Sequence, residues 1–99
     1  MIKFIQGLIQ AKRYKRLETI MTQQRNLLNQ QREELSKLNL ATEDLKVAIT
    51  KGDMHLVDNF RKNWTKINND LDIINLNYTT LEVERLTLKK KLAIKPQFT

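Results

Sequence analysis

Apolar side chains recur alternately every three and four positions along the second half of the chain. An α-helix has 3.6 residues per turn, so this spacing places all of them on one face of a helix. The row consists of Val57, Phe60, Trp64, Ile67, Leu71, Ile74, Tyr78, Leu81, Leu88 and Leu92, with Arg85 as its one charged member. A helix over this span would be about 50 Å long and could not bury the row by itself. The row therefore requires a second long helix.

A matching row runs through the first half of the chain. It consists of Tyr14, Leu17, Met21, Gln24, Leu28, Gln31, Leu35, Leu38, Thr42, Leu45 and Ile49. Gln24 and Gln31 weaken the row but fix its register, because a buried amide needs a hydrogen-bond partner. Thr42, followed by two acidic residues, also has the chemistry of an N-cap at which this helix would kink and restart.

The turn between the two helices is predicted at residues 50–53. Gly52 can adopt the left-handed conformation that ends a helix, and Asp53 can cap the helix that follows. So short a connection makes the helices fold back antiparallel. The predicted fold is all-α, with two long helices forming an antiparallel coiled-coil hairpin as a single unit over 1–99. Its parts are a helix over about 3–50, a turn over about 51–53, a helix over about 54–93 and a short tail over 94–99, where Pro96 stops the helix.

The composition agrees with long helices and argues against catalysis. Only two Gly and one Pro occur in 99 residues, and 29% of the residues are charged. The absence of cysteine excludes disulfides, thiolate metal sites and cysteine nucleophiles. His55 is the single histidine, and it falls beside the predicted turn without the further ligands that a metal site needs. We predict a protein that is not an enzyme and that has no catalytic, cofactor or metal site.

Positive charge is concentrated towards the two ends of the chain. The net charge is +7, and the basic clusters are Lys12, Arg13, Lys15 and Arg16 near the start and Lys89, Lys90 and Lys91 near the end. Such clusters favour acidic partners, which are nucleic acid, anionic lipid or an acidic protein surface. Nucleic-acid binding ranks below protein binding here because no zinc finger or helix-turn-helix pattern accompanies the charge. The first residues, with Phe4 as their aromatic, make a weaker membrane-surface candidate.

The aromatic pair Phe60 and Trp64 stands near the predicted turn. In the simplest interpretation both side chains fill the seam between the helices. Two helices cannot cover an indole completely, however, so an exposed edge of Trp64 would offer a docking surface for another protein. We include both aromatic residues, with the seven basic residues above, in the predicted partner-binding set.

Three segments carry a resemblance to a known family. They are the hydrophobic and basic opening FIQGLIQAKRYKR (4–16), the Gln/Arg-rich segment QQRNLLNQQREEL (23–35) and the basic end LEVERLTLKKKL (81–92). Together with the polar turn they resemble the central stalk proteins of type III secretion systems, the family of flagellar FliJ and the injectisome stalk. The resemblance covers nearly the whole chain as a pattern and contains no diagnostic motif.

The resemblance implies a noncatalytic stalk that links a hexameric export ATPase to the export gate. The basic ends would meet the ATPase, and Phe60 and Trp64 would lie in the region that contacts the gate. Such a protein works in the cytoplasm and is peripheral at the inner membrane. The alternative is a small basic helical binding module, either an export chaperone or a phage or plasmid protein that binds nucleic acid.

Overall fold

The computed structural model describes residues 2–93 of the chain and consists there of two helices, α1 (Ile2–Lys51) and α2 (Met54–Ala93). The helices pack antiparallel, which confirms the predicted all-α hairpin. The expected tail over 94–99, with Pro96, lies outside the described residues. The restart of the helix with Thr42 as N-cap is wrong: α1 continues through this position, and the Thr42 hydroxyl donates to the Leu38 carbonyl (2.8 Å) instead of capping a new helix.

The turn is held by one glycine and one aspartate. Gly52 has a φ of 70°, and its N–H donates to the Ile49 carbonyl at 3.0 Å. This left-handed conformation costs glycine little because it has no Cβ. The carboxylate of Asp53 accepts the backbone N–H groups of His55 and Leu56, both at 3.2 Å, and so caps the first turn of α2. Both residues have the roles that the sequence predicts for them.

Contacts divide the hairpin into two units, each built from a segment of both helices. The terminal unit comprises Met1–Asn26 and Tyr78–Thr99, and the turn unit comprises Leu27–Asn77. Within each unit, as the residue number rises along α1, the number of its partner on α2 falls, which is the antiparallel arrangement. The terminal unit has the pairs Arg16–Glu84 and Gln24–Glu82, and the turn unit has Gln31–Asn75 and Thr42–Trp64.

The core of the turn unit is a narrow strip along the seam. Ala41, Ile67 and Leu71 form a buried cluster, and the half-buried Leu38 packs against it. Further buried side chains of this unit are Ala48, Val57 and Ile74. The buried α2 residues all belong to the row that the sequence predicts, so the inward face of α2 is the expected one.

The inward face of α1 differs from the prediction at five of its eleven positions, and Thr42 is half-buried. Leu17, Gln24, Gln31, Leu38 and Leu45 are buried or half-buried as expected, whereas Tyr14, Met21, Leu28, Leu35 and Ile49 are exposed. The inward places belong to the residues one position earlier, which are Arg13, Ile20, Leu27, Glu34, Ala41 and Ala48. The predicted row was therefore half correct, and the actual seam lies slightly to one side of it.

At Ala41 the size of the side chain gives a physical reason for this difference. In the turn unit the small Ala41 takes the inward place beside the bulky Ile67 and Leu71 of α2. A small side chain lets two helix backbones approach and lets large neighbours interdigitate. The sequence pattern accepts either of two adjacent rows on α1, and only the fit to α2 selects between them.

Two amide side chains of the predicted seam have hydrogen-bond partners on α2. In the terminal unit the buried Gln24 donates its Nε2 to Glu82 Oε2 at 2.7 Å. In the turn unit Gln31 donates its Nε2 to Asn75 Oδ1 at 2.9 Å. A shift of either helix by one turn would leave these amides without partners, and an unpaired buried polar group is costly.

Replacing Leu71 with Asp should unfold the hairpin or weaken it strongly, because a charge would enter the buried cluster of the turn unit. We expect a loss of roughly 3 to 5 kcal/mol in the free energy of unfolding. Ile73→Asp is the matched control, since Ile73 is exposed, and it should cost no more than about 1 kcal/mol. Urea titration followed by circular dichroism measures both variants, and equal losses would contradict the assigned core.

Candidate partner-binding surfaces

The excess positive charge of the chain belongs to the terminal unit. This unit carries eleven Lys and Arg residues against three acidic residues, whereas the turn unit carries seven against eight. The two units therefore present different electrostatic surfaces. An acidic partner is attracted to the terminal unit, and its attraction weakens as salt screens the charges.

Arg16 is one of the predicted basic contacts, and the structure uses it within the hairpin. Its Nε and Nη2 donate to the two carboxylate oxygens of Glu84 at 2.7 and 2.9 Å. The hydrogen bond raises the pKa of Arg16 and lowers the pKa of Glu84. Both side chains remain exposed, which limits what this pair adds to stability. Its bidentate geometry nevertheless orients the guanidinium towards α2.

The other predicted basic residues divide into two kinds. Arg13 is half-buried and lies in the row of α1 that faces α2. Five lysines are exposed, namely Lys12, Lys15, Lys89, Lys90 and Lys91. Apart from Arg16, which is bound to Glu84, the exposed members of the predicted basic set are lysines. Lysines attract an acidic surface as mobile point charges and do not impose a fixed geometry.

Sequence reasoning missed a charged network inside the terminal unit, centred on Glu82. Arg85 donates its Nε to Glu82 Oε2 at 3.0 Å, and the same oxygen accepts from Gln24. Two hydrogen bonds lower the pKa of Glu82 from 4.5 to about 2, and the bond from Arg85 has a larger effect than the bond from Gln24. The charged Arg85 in the α2 row was the available signal, because a residue three positions away on a helix is a natural partner.

Phe60 and Trp64 both lie in the turn unit. Phe60 is half-buried, and Trp64 remains 37% exposed although its Nε1–H donates to the Thr42 hydroxyl at 3.2 Å. The indole thus fills space against α1 and also presents an edge at the surface. That its exposed edge binds another protein stays a prediction. His55 is exposed beside the turn, where its backbone N–H binds Asp53.

A cleft lined by charged side chains of both signs follows one flank of the seam in the turn unit. It is lined by Glu34, Asp44 and Asp70 together with Lys37 and Lys66. Glu34 accepts a hydrogen bond from Lys37 at 3.0 Å, and this bond raises the pKa of the lysine. Within residues 2–93 no three His, Cys, Asp or Glu side chains come together as metal ligands. Over the same range neither helix offers an apolar stretch of the length that crossing a bilayer demands.

Comparison of the chain with family models, with curated proteins and with solved structures finds no match. The resemblance to the type III secretion stalks therefore rests on the three segments 4–16, 23–35 and 81–92.

Lowering the pH below about 4.5 should remove the stabilisation contributed by the Glu82 carboxylate. The pKa of Glu82 is lower in the folded state, about 2, than its ordinary value of 4.5. Its contribution is therefore complete above pH 4.5 and disappears as the pH falls towards 2, because the unfolded chain takes up the proton first. Glu82→Gln should flatten this part of the curve of melting temperature against pH.

Glu18→Gln provides the control for this experiment, since Glu18 is an exposed acidic residue of the same unit. It should keep the wild-type slope between pH 4.5 and 2. Thermal melts followed by circular dichroism supply the data. A Glu82→Gln curve parallel to that of the wild type would show that the network with Arg85 and Gln24 contributes nothing to stability.

Proposed function

We propose that this chain is a noncatalytic coiled-coil stalk of a bacterial type III secretion system, linking the hexameric export ATPase to the export gate. The observation that carries the proposal is an antiparallel hairpin whose excess positive charge lies in its terminal unit. The three segments that resemble the stalk family supply the particular system. A protein in this role needs a stiff helical body and binding surfaces, and it needs no active site.

The terminal unit would bind the ATPase through its exposed lysines. Lysine side chains accelerate association with an acidic surface and tolerate changes in relative orientation, since each is a compact charge on a flexible stem. Arg13 and Arg16 have a supporting role in this proposal, because the first lies in the seam and the second pairs with Glu84. The direct contacts are then Lys12, Lys15 and the lysines at 89–91.

The turn unit would meet the gate through its aromatic residues. Trp64 has an exposed edge and a fixed orientation, because its Nε1–H is hydrogen-bonded to Thr42. A rigid, partly exposed indole is the kind of side chain that dominates binding energy at protein interfaces. In this role the chain works on the cytoplasmic side of the inner membrane.

A direct test is co-purification with a hexameric type III export ATPase and measurement of ATP hydrolysis. The chain should bind the ATPase and stimulate its turnover. The double variant Lys12→Glu with Lys15→Glu should weaken binding by about tenfold or more, since two attractive charges become repulsive. Lys62→Glu with Lys66→Glu in the turn unit makes the same change in net charge and should leave binding and stimulation near the wild-type values.

A basic helical module that binds nucleic acid is the second candidate, and the charge excess of the terminal unit favours it. Such a protein should shift a DNA or RNA fragment at low salt and lose affinity steeply as salt increases. A nucleic-acid shift combined with no effect on the ATPase would reverse the order of the two proposals. A stable complex with a single secreted substrate would instead indicate an export chaperone.

A further inference from the structure

An apolar row runs along one flank of the turn unit without cover from α2. Leu28, Leu35 and Ile49 lie at multiples of seven residues on α1 and are 43%, 44% and 58% exposed. Thr42 interrupts this row, and there the indole of Trp64 reaches over from α2 to the Thr42 hydroxyl. Trp64 thus supplies apolar surface where α1 lacks it. We refer to Leu28, Leu35, Trp64 and Ile49 as the lateral row.

The spacing of the lateral row restricts the shape of its partner. Side chains repeating every seven residues run nearly parallel to the axis of their helix. A second helix with its own apolar stripe can follow such a line over several turns, as in helix-in-groove recognition. The row stands beside the seam and not inside it, so a third helix can pack there without opening the hairpin.

The charge beside the lateral row restricts its partner further. The helix positions that border the row are Arg32, Asn39 and Lys46 on α1 and Arg61, Asn68 and Asn75 on α2. Asn75 accepts the hydrogen bond from Gln31, which places the α2 positions on this flank. Three of the six are basic and none is acidic. Lys46 is paired with Glu43 at 3.6 Å, so Arg32 and Arg61 provide most of the positive charge.

The opposite flank of the same unit differs in its charge. Its cleft is lined by the carboxylates of Glu34, Asp44 and Asp70 and by the amines of Lys37 and Lys66. The seam therefore separates an apolar flank with basic borders from a polar flank that carries both signs of charge.

We propose that the lateral row binds an amphipathic helix of another protein, one whose apolar stripe is bordered by acidic residues. A second copy presenting the same row would bring like charges, Arg32 and Arg61, against each other. Nucleic acid would satisfy the arginines but would leave Leu28 and Leu35 in water. The proposal rests on the proposed function only in requiring that the hairpin binds protein, and it is independent of the ATPase.

Two synthetic peptides test this proposal. Both consist of about three heptads with leucine in the apolar stripe, and one carries glutamate and the other lysine at the bordering positions. Trp64 is the only tryptophan, so its emission reports directly on the lateral row. We expect a blue shift with the glutamate peptide and binding about tenfold or more tighter than with the lysine peptide at low salt. The difference should shrink as salt is added.

Matched variants show whether binding occurs at the lateral row. Leu35→Glu places a charge in the row and should abolish binding of the glutamate peptide. Leu40→Glu makes the same change at an exposed position of α1 outside the row and should leave binding intact. The double variant Arg32→Glu with Arg61→Glu should reverse the preference in favour of the lysine peptide. Circular dichroism verifies that each variant keeps the helicity of the wild type.

Three results would overturn the proposal. Equal affinity for the two peptides would contradict the claim that the partner is acidic. Full binding by Leu35→Glu would show that the contact lies outside the lateral row. Self-association in analytical ultracentrifugation that Leu35→Glu abolishes would assign the row to a second copy of the chain. The assay contains no ATPase, so a negative result here leaves the proposed stalk function standing, and a failed ATPase experiment leaves the peptide result standing.

Discussion

A pair of helices has only one shared seam in which to bury side chains, and the properties of this protein follow from that limit. In the turn unit the buried apolar residues form a narrow strip that includes Ala41, Ile67 and Leu71. Many other large apolar side chains of the described residues stay in contact with water. A core this narrow provides modest stability. The same geometry places a large part of the apolar side chains where another protein can reach them.

Polar groups in the seam make this narrow core specific. Hydrogen bonds join Gln24 to Glu82 and Gln31 to Asn75, and these bonds form in one register of the helices. An apolar seam tolerates sliding, whereas a misplaced amide loses its partner and costs free energy. Register in turn decides which side chains face outwards, so these interior amides also determine the composition of the binding surfaces.

The two units of the hairpin offer different kinds of interaction. The terminal unit presents exposed lysines and attracts partners through long-range electrostatics, which depend on salt. The turn unit is nearly balanced in charge and presents leucine and tryptophan side chains in helical register. Short-range burial of apolar area dominates there. Such a division would suit the proposed coupling of two different partners, because one partner would not compete with the other for the same chemistry.

The sequence by itself determined the order of helix, turn and helix, the roles of Gly52 and Asp53, the inward face of α2 and the need of the seam amides for partners. These features depend on local spacing and on the conformational preferences of single residues. The inward face of α1 was predictable only in part, because two adjacent rows share the same spacing. The tertiary structure selected the row containing Ile20, Ala41 and Ala48, and at Ala41 the small side chain fits beside the bulky Ile67 and Leu71 of α2. This choice of row leaves Leu28 and Leu35 at the surface, places Arg13 in the seam and creates the lateral row. The sequence could not decide it, because contacts between residues far apart in sequence do not appear in the spacing of either helix.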